Sequence, residues 1–102
     1  MNKRRSKRII KRLEVKFTAD NMNYTGITSI LSEEGIFIRT LKGLPPGTVV
    51  DMELYLPSGE TLKLSGKVKR TIKTQLQNIK NGMGIQLIDI PAKYTEFLKS
   101  LQ

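Results

Sequence analysis

"VVDMELYLPSGETLKLSGKVKRTI", residues 49–72, decides the fold. On its outgoing half Val50, Met52, Leu54 and Leu56 share one face. "PSGE" at 57–60 is turn chemistry, with proline presetting one corner and glycine free to take the other. On the return, Leu62, Leu64, Val68 and Ile72 fall on even positions, and Lys63, Ser65, Lys67, Lys69 and Thr71 on odd ones. A period of two is that of a strand with one buried face. The stretch therefore reads as an antiparallel hairpin, with its even apolar residues on one face.

The pattern extends in both directions. In "RLEVKFT", Leu13, Val15 and Phe17 alternate with polar residues, and "ADNMN" at 19–23 is a turn. "YTGITSI" and "IFIRT" read as further strands around the break "LSEEG", and "KGLPPGT" leads into the central hairpin. "QNIKNG" is a polar loop with an Asn-Gly turn signal, followed by a last strand in "MGIQLIDI". Strands are expected near 12–18, 23–30, 35–40, 49–56, 61–73 and 83–90. After Pro91, Tyr94, Phe97, Leu98 and Leu101 recur at helical spacing, which predicts a helix near 91–101. So many strands in so short a chain are best served by closing the sheet, because closure removes exposed edges. The expected fold is mainly β: a small six-stranded antiparallel barrel with a C-terminal helix, over residues 13–102, preceded by a basic arm over 1–12.

The chain has 102 residues, enough for a single domain with one small core. It has no cysteine and no histidine, which removes disulfides, thiolate metal sites and the commonest general base. No metal site and no nucleophile–base pair is visible, so enzyme activity is not expected. No apolar run approaches the ~20 residues of a membrane span, and the N-terminus lacks the apolar core of a secretory signal. The expected location is cytoplasmic.

The net charge of +9 is unevenly placed. "KRRSKRIIKR" (3–12) holds seven Lys and Arg, leaving eleven to face all nine acidic residues in the rest of the chain. Such a run points to an anionic partner. On charge alone it reads as a solvated patch binding polyanions without specificity. Ile9 and Ile10 do not fit a plain disordered tail, and imply that part of the arm docks on something. Arg4, Arg8 and Arg12 are spaced four apart, and guanidinium forks bind phosphate or the O6/N7 edge of guanine. Residues 1–10 are expected to be mobile without a ligand, because like charges repel.

Elsewhere the readings are plainer. Ser32 and Gly35 in "SILSEEG" suit a tight turn whose glycine takes positive φ, and Glu33 and Glu34 suit a solvated turn. "GMGI" at 82–85 lacks a phosphate-loop spacing, so its glycines read as a close backbone approach. Lys63, Lys67 and Lys69 form a solvent face. The chain has six aromatic residues, of which Phe17 and Phe97 fit core positions and Tyr24, Phe37, Tyr55 and Tyr94 are unassigned. That argues against the stacking surface of a single-strand nucleic-acid barrel.

Taken in order, the pieces resemble a PilZ domain, the bacterial receptor module for cyclic di-GMP. The resemblance spans nearly the whole chain. It rests on the basic arm ending in R-x-x-x-R before the first strand, a D/N-x-S-x-x-G turn, then "GIFIRT", "LPPGT", "LYLPSGETLKLSGKV", "GMGIQLIDI" and a closing helix. It implies that the arm folds over the barrel and traps the dinucleotide. The arm motif falls on Arg8 and Arg12, with a second match at Arg4 and Arg8; Lys11 lies within the same segment and is included with them. The turn motif falls on Ser32 and Gly35, but its leading Asp or Asn is Ile30, which cannot hydrogen-bond a guanine. Thr28 or Ser29 would have to substitute. The resemblance implies a stand-alone cyclic di-GMP receptor without resident cofactor, acting on an unidentified protein partner. The alternative is a PilZ-like interaction module that binds nucleotide weakly or not at all. Nucleic acid is the third and least favoured ligand.

Overall fold

The computed structural model describes residues 8–41, 43–72 and 81–101. Among the described residues, seven strands and one helix follow in chain order: β1 (Ile9–Ile10), β2 (Glu14–Ala19), β3 (Met22–Leu31), β4 (Gly35–Arg39), β5 (Val49–Tyr55), β6 (Thr61–Ile72), β7 (Gly82–Ile88) and α1 (Ala92–Ser100). The sheet order is β1-β3-β2-β5-β6-β7-β4, and β4 pairs back onto β3. That pairing closes six antiparallel strands into a barrel.

The central hairpin, β5–β6, pairs Val50 with Gly66, Met52 with Leu64 and Leu54 with Leu62. Within the two strands its even apolar residues are buried to 5% exposure or less up to Val68. The β2–β3 hairpin turns on Asp20 and Asn21, both at positive φ, which gives the backbone twist that two-residue hairpins favour. The arm adds a strand that alternation did not predict. Ile9 pairs with Leu31 and Ile10 with Ile30. β2 uses β3 only as far as Ile27, so the arm continues the same line along the rest of β3. Ile9 and Ile10 thus pair with β3; residues 1–7 lie outside the described residues, as does most of the polar loop at 77–82.

Thr28 fixes the junction between arm and β2. It is fully buried. Its hydroxyl accepts the Leu13 N–H at 2.9 Å and donates to the Lys11 carbonyl at 2.7 Å. The Lys11 N–H donates to the Ser29 carbonyl at 3.1 Å. One side chain therefore satisfies two backbone groups where the arm and β2 are not in regular register, which leaves no orphaned polar group there.

Helix α1 covers the end of the barrel where the β3–β4 and β5–β6 turns lie, bonding to the first and packing beside the second. Tyr94 and Leu98 enter the core, at 0% and 2% exposure, while Phe97 is only partly buried against it. The phenol is the larger buried payload, and its hydroxyl finds a partner as buried tyrosines require. Burial pushes the Tyr94 pKa well above the ordinary tyrosine value.

Candidate functional site

Two strands of the barrel carry a register irregularity, one between Thr28 and Ile30 in β3 and one between Val68 and Arg70 in β6. A bulge shifts side-chain parity, so every later residue changes face. In β3, Thr28 opposes buried Ile38, whereas Ile30 opposes Phe37, and both Ile30 and Phe37 are half-buried. In β6, Val68 opposes buried Ile85, but Arg70 opposes Gly84 and Ile72 opposes Gly82. Ile72 therefore leaves the core face on which strict alternation places it.

These outward residues meet on one flank of the barrel and line an open cavity of about 530 Å³. Its apolar part includes Ile30, Phe37 and Ile72; its cations are Arg8, Lys69 and Arg70; Ser32, Glu34 and Gln86 add polar groups. Phe37 has room because its neighbours on β7 are glycines. A Cβ on Gly82 would lie 2.6 Å from the Phe37 ring, and one on Gly84 3.8 Å from it. The ring thus lies across a strip with no side chains.

Arg8 enters the cavity through β1. The strand register sets it beside Ser32 on the same line that pairs Ile9 with Leu31. The Ser32–Gly35 turn closes with the Ser32 N–H on the Gly35 carbonyl at 2.9 Å. The Ser32 hydroxyl accepts the Gly35 N–H and donates to the Gly35 carbonyl, each at 3.2 Å. Gly35 does not use the positive φ expected of it; among the described glycines only Gly47 and Gly59 do. What demands glycine at 35 is proximity, since a Cβ there would sit 2.6 Å from the Ile85 carbonyl oxygen.

The structure thus brings together Arg8, Ser32 and Gly35, with Ile30 between them. Arg12 is exposed at the arm–β2 junction and Lys11 is half-buried there, and neither lines the cavity. Arg4 lies outside the described residues. Thr28 and Ser29 do not reach the cavity in place of Ile30, because Thr28 faces inward and serves the arm junction. Glu34, read as part of a solvated turn, and Phe37, Lys69, Arg70, Ile72 and Gln86 were missed as site residues. A signal for part of this exists: Lys69 and Arg70 are consecutive polar residues and break the alternation where the β6 bulge falls.

The other unassigned aromatics lie elsewhere. Tyr24 stacks on Phe17 at 5.3 Å between ring centroids. Tyr55 is exposed and donates to the Glu53 carboxylate at 3.2 Å. Among the described residues no cluster of His, Cys, Asp and Glu suits a metal, and no helix is long and apolar enough to cross a membrane.

The fold has close counterparts among solved structures. The Bacillus subtilis inhibitor of motility (MotI/DgrA) superposes with a TM-score of 0.80 at 18% identity, over 99% of this chain and 50% of that one. This chain therefore spans about half the length of that protein. The PilZ domain of CeSA from a cellulose-synthesizing bacterium superposes with a TM-score of 0.66 at 22% identity, over 93% of this chain and 94% of that one. No curated protein matches the sequence. The profile of the PilZ domain, however, matches residues 2–101. With that match over nearly its whole length, and with the barrel, arm and turn described above, the chain belongs to the PilZ domain family.

Proposed function

We propose that the protein is a receptor for cyclic di-GMP that binds the dinucleotide between the arm and the outer flank of β3, β4, β7 and β6, and acts on a partner protein. The observation that carries this reading is the convergence of Arg8, from the arm, and Ser32 and Gly35, from the β3–β4 turn, on one cavity with an aromatic floor. A cyclic dinucleotide needs cations for its phosphates and flat apolar surface for its bases. Arg8, Lys69 and Arg70 supply the first and Phe37 the second. Arg12, exposed and four residues from Arg8, is the second phosphate ligand that the family motif assigns. Glu34 and Gln86 are acceptors for the N–H donors of a guanine edge, a role Ile30 cannot take. A receptor of this kind regulates through the surface it presents, and likeness to an inhibitor of motility supports an adaptor over an enzyme.

A second reading, an interaction module that binds nucleotide weakly or not at all, is favoured by one observation. Ile30 lines the cavity, at the place where the family motif puts an Asp or Asn.

Calorimetric titration with cyclic di-GMP separates the two, run at low and moderate salt with GTP and a short DNA single strand as controls. The receptor reading expects saturable binding that outcompetes both controls. Phe37→Ala should then weaken it ~5- to ~150-fold, the equivalent of about 1–3 kcal/mol for a base stacked on an aromatic ring. No binding at millimolar nucleotide would replace this reading with the interaction module. A loss of affinity on raising salt that is equal for all three ligands would indicate generic polyanion binding.

A further inference from the structure

Helix α1 has no residue in the cavity, yet it touches the turn that does. The Tyr94 ring is fully buried, and its hydroxyl donates to the Ser32 carbonyl at 2.7 Å across 62 positions of sequence. The rest of the turn is held by the sheet and by itself. The Leu87 N–H of β7 donates to the Glu34 carbonyl at 2.8 Å, and Ser32 and Gly35 bond to each other. Tyr94 therefore adds a tie from outside the barrel wall. It acts on a particular peptide plane: the carbonyl it holds belongs to the residue whose hydroxyl sits at the cavity. Fixing that carbonyl fixes the Ser32 backbone, and so the direction in which its hydroxyl projects. A phenol buried in a packed core is well suited to this, because its ring cannot move without disturbing neighbours on every side.

We propose that Tyr94 is a positioning residue for the Ser32–Gly35 turn, and that its bond to Ser32 couples helix α1 to occupancy of the cavity. The first half stands on geometry alone; the second rests on the receptor reading above. Coupling is reciprocal. If Tyr94 shapes the turn for the nucleotide, the bound nucleotide must stabilise the helix contact by the same factor. The helix then becomes the element through which a partner on that end of the barrel senses the bound state.

The test uses Tyr94→Phe, which keeps the ring and removes the donor. Leu98→Val serves as control, since it loosens the packing of the same helix without touching the bond. Without ligand, amide exchange at Ser32, Gly35 and Leu87, whose N–H groups are bonded within or onto the turn, should quicken ~5- to ~10-fold in Tyr94→Phe, the size of one net hydrogen bond, after correction for global stability. Leu98→Val should leave it unchanged. Equal acceleration in both variants would reduce Tyr94 to a packing residue.

With cyclic di-GMP, Tyr94→Phe should bind ~5- to ~10-fold more weakly than the parent, and the difference should vanish in a Ser32→Ala background. Leu98→Val should bind as the parent does. Additive losses from Tyr94→Phe and Ser32→Ala would overturn the claim that Tyr94 acts through Ser32. A parent that does not bind nucleotide would remove the receptor reading and with it the coupling, while the exchange comparison still decides whether Tyr94 positions the turn.

Discussion

Replacing Thr28 by valine keeps the shape of a fully buried side chain and deletes a hydroxyl that serves two backbone groups. The Leu13 N–H loses its acceptor at 2.9 Å. Leu13 is 6% exposed, so water does not replace that acceptor, and an orphaned buried donor costs about 1–3 kcal/mol. The Lys11 carbonyl loses its donor at 2.7 Å. Lys11 is half-buried, so its carbonyl recovers part of the loss from solvent. Valine returns a fraction of the total, because its methyl is not penalised for burial as the hydroxyl was. The expected net loss is about 2–3 kcal/mol, against about 5–15 kcal/mol for a whole domain of this size.

Urea unfolding followed by circular dichroism measures this directly. With a slope of ~1–3 kcal/mol/M, the midpoint should fall by roughly 0.7–3 M. Thr28→Ser is the companion variant. It keeps both hydrogen bonds and gives up one methyl, about 1 kcal/mol. Serine should therefore be the milder change, although it is the larger loss of apolar volume. A valine variant as stable as the serine one would refute the claim that Thr28 pins the arm junction. Thr28→Val should also weaken nucleotide binding, because β1, which carries Arg8 to the cavity, depends on that junction.

At the site itself, Arg8→Ala and Arg12→Ala should each lower affinity for cyclic di-GMP more than about tenfold, as loss of a charge-assisted bidentate contact does. Arg4→Ala and Arg5→Ala should cost less than about threefold through screened attraction. Comparable losses at all four positions would mean that the arm is only a polyanion patch. Ile30→Asp should tighten binding by roughly 10- to 100-fold, since a hydrogen bond to a charged group contributes about 1.5–3 kcal/mol. Stability should fall modestly, because Ile30 is half-buried opposite Phe37 and Asp is disfavoured in strands by up to ~1 kcal/mol, so unfolding is measured alongside affinity. A well-folded Ile30→Asp variant with unchanged affinity would show that position 30 does not face the ligand.

Much of this protein is determined locally. Period-two alternation is imposed by strand geometry, so the hairpin at 49–72, its turn at 57–60 and the other barrel strands are legible to within about two residues in the sequence alone. The clustering of cations in the arm, and the motif residues Arg8, Ser32 and Gly35, are equally plain without coordinates. Tertiary structure decided which side chains line the cavity. Bulges are frequent in closed sheets, and here the local changes of register fall at Ser29 and Lys69. Beyond each one the parity of the strand inverts. Alternation counted from Val68 therefore puts Ile72 in the core, when it lies on the cavity floor. Gly35 is glycine because β7 passes close by, not because its own backbone turns. Ile9 and Ile10 form a strand because the end of β3 offers an edge that β2 does not reach. Tyr94 meets Ser32 because the helix folds back over the barrel end that holds their turn. Each depends on a neighbour distant in sequence, and a pattern confined to one segment cannot carry it.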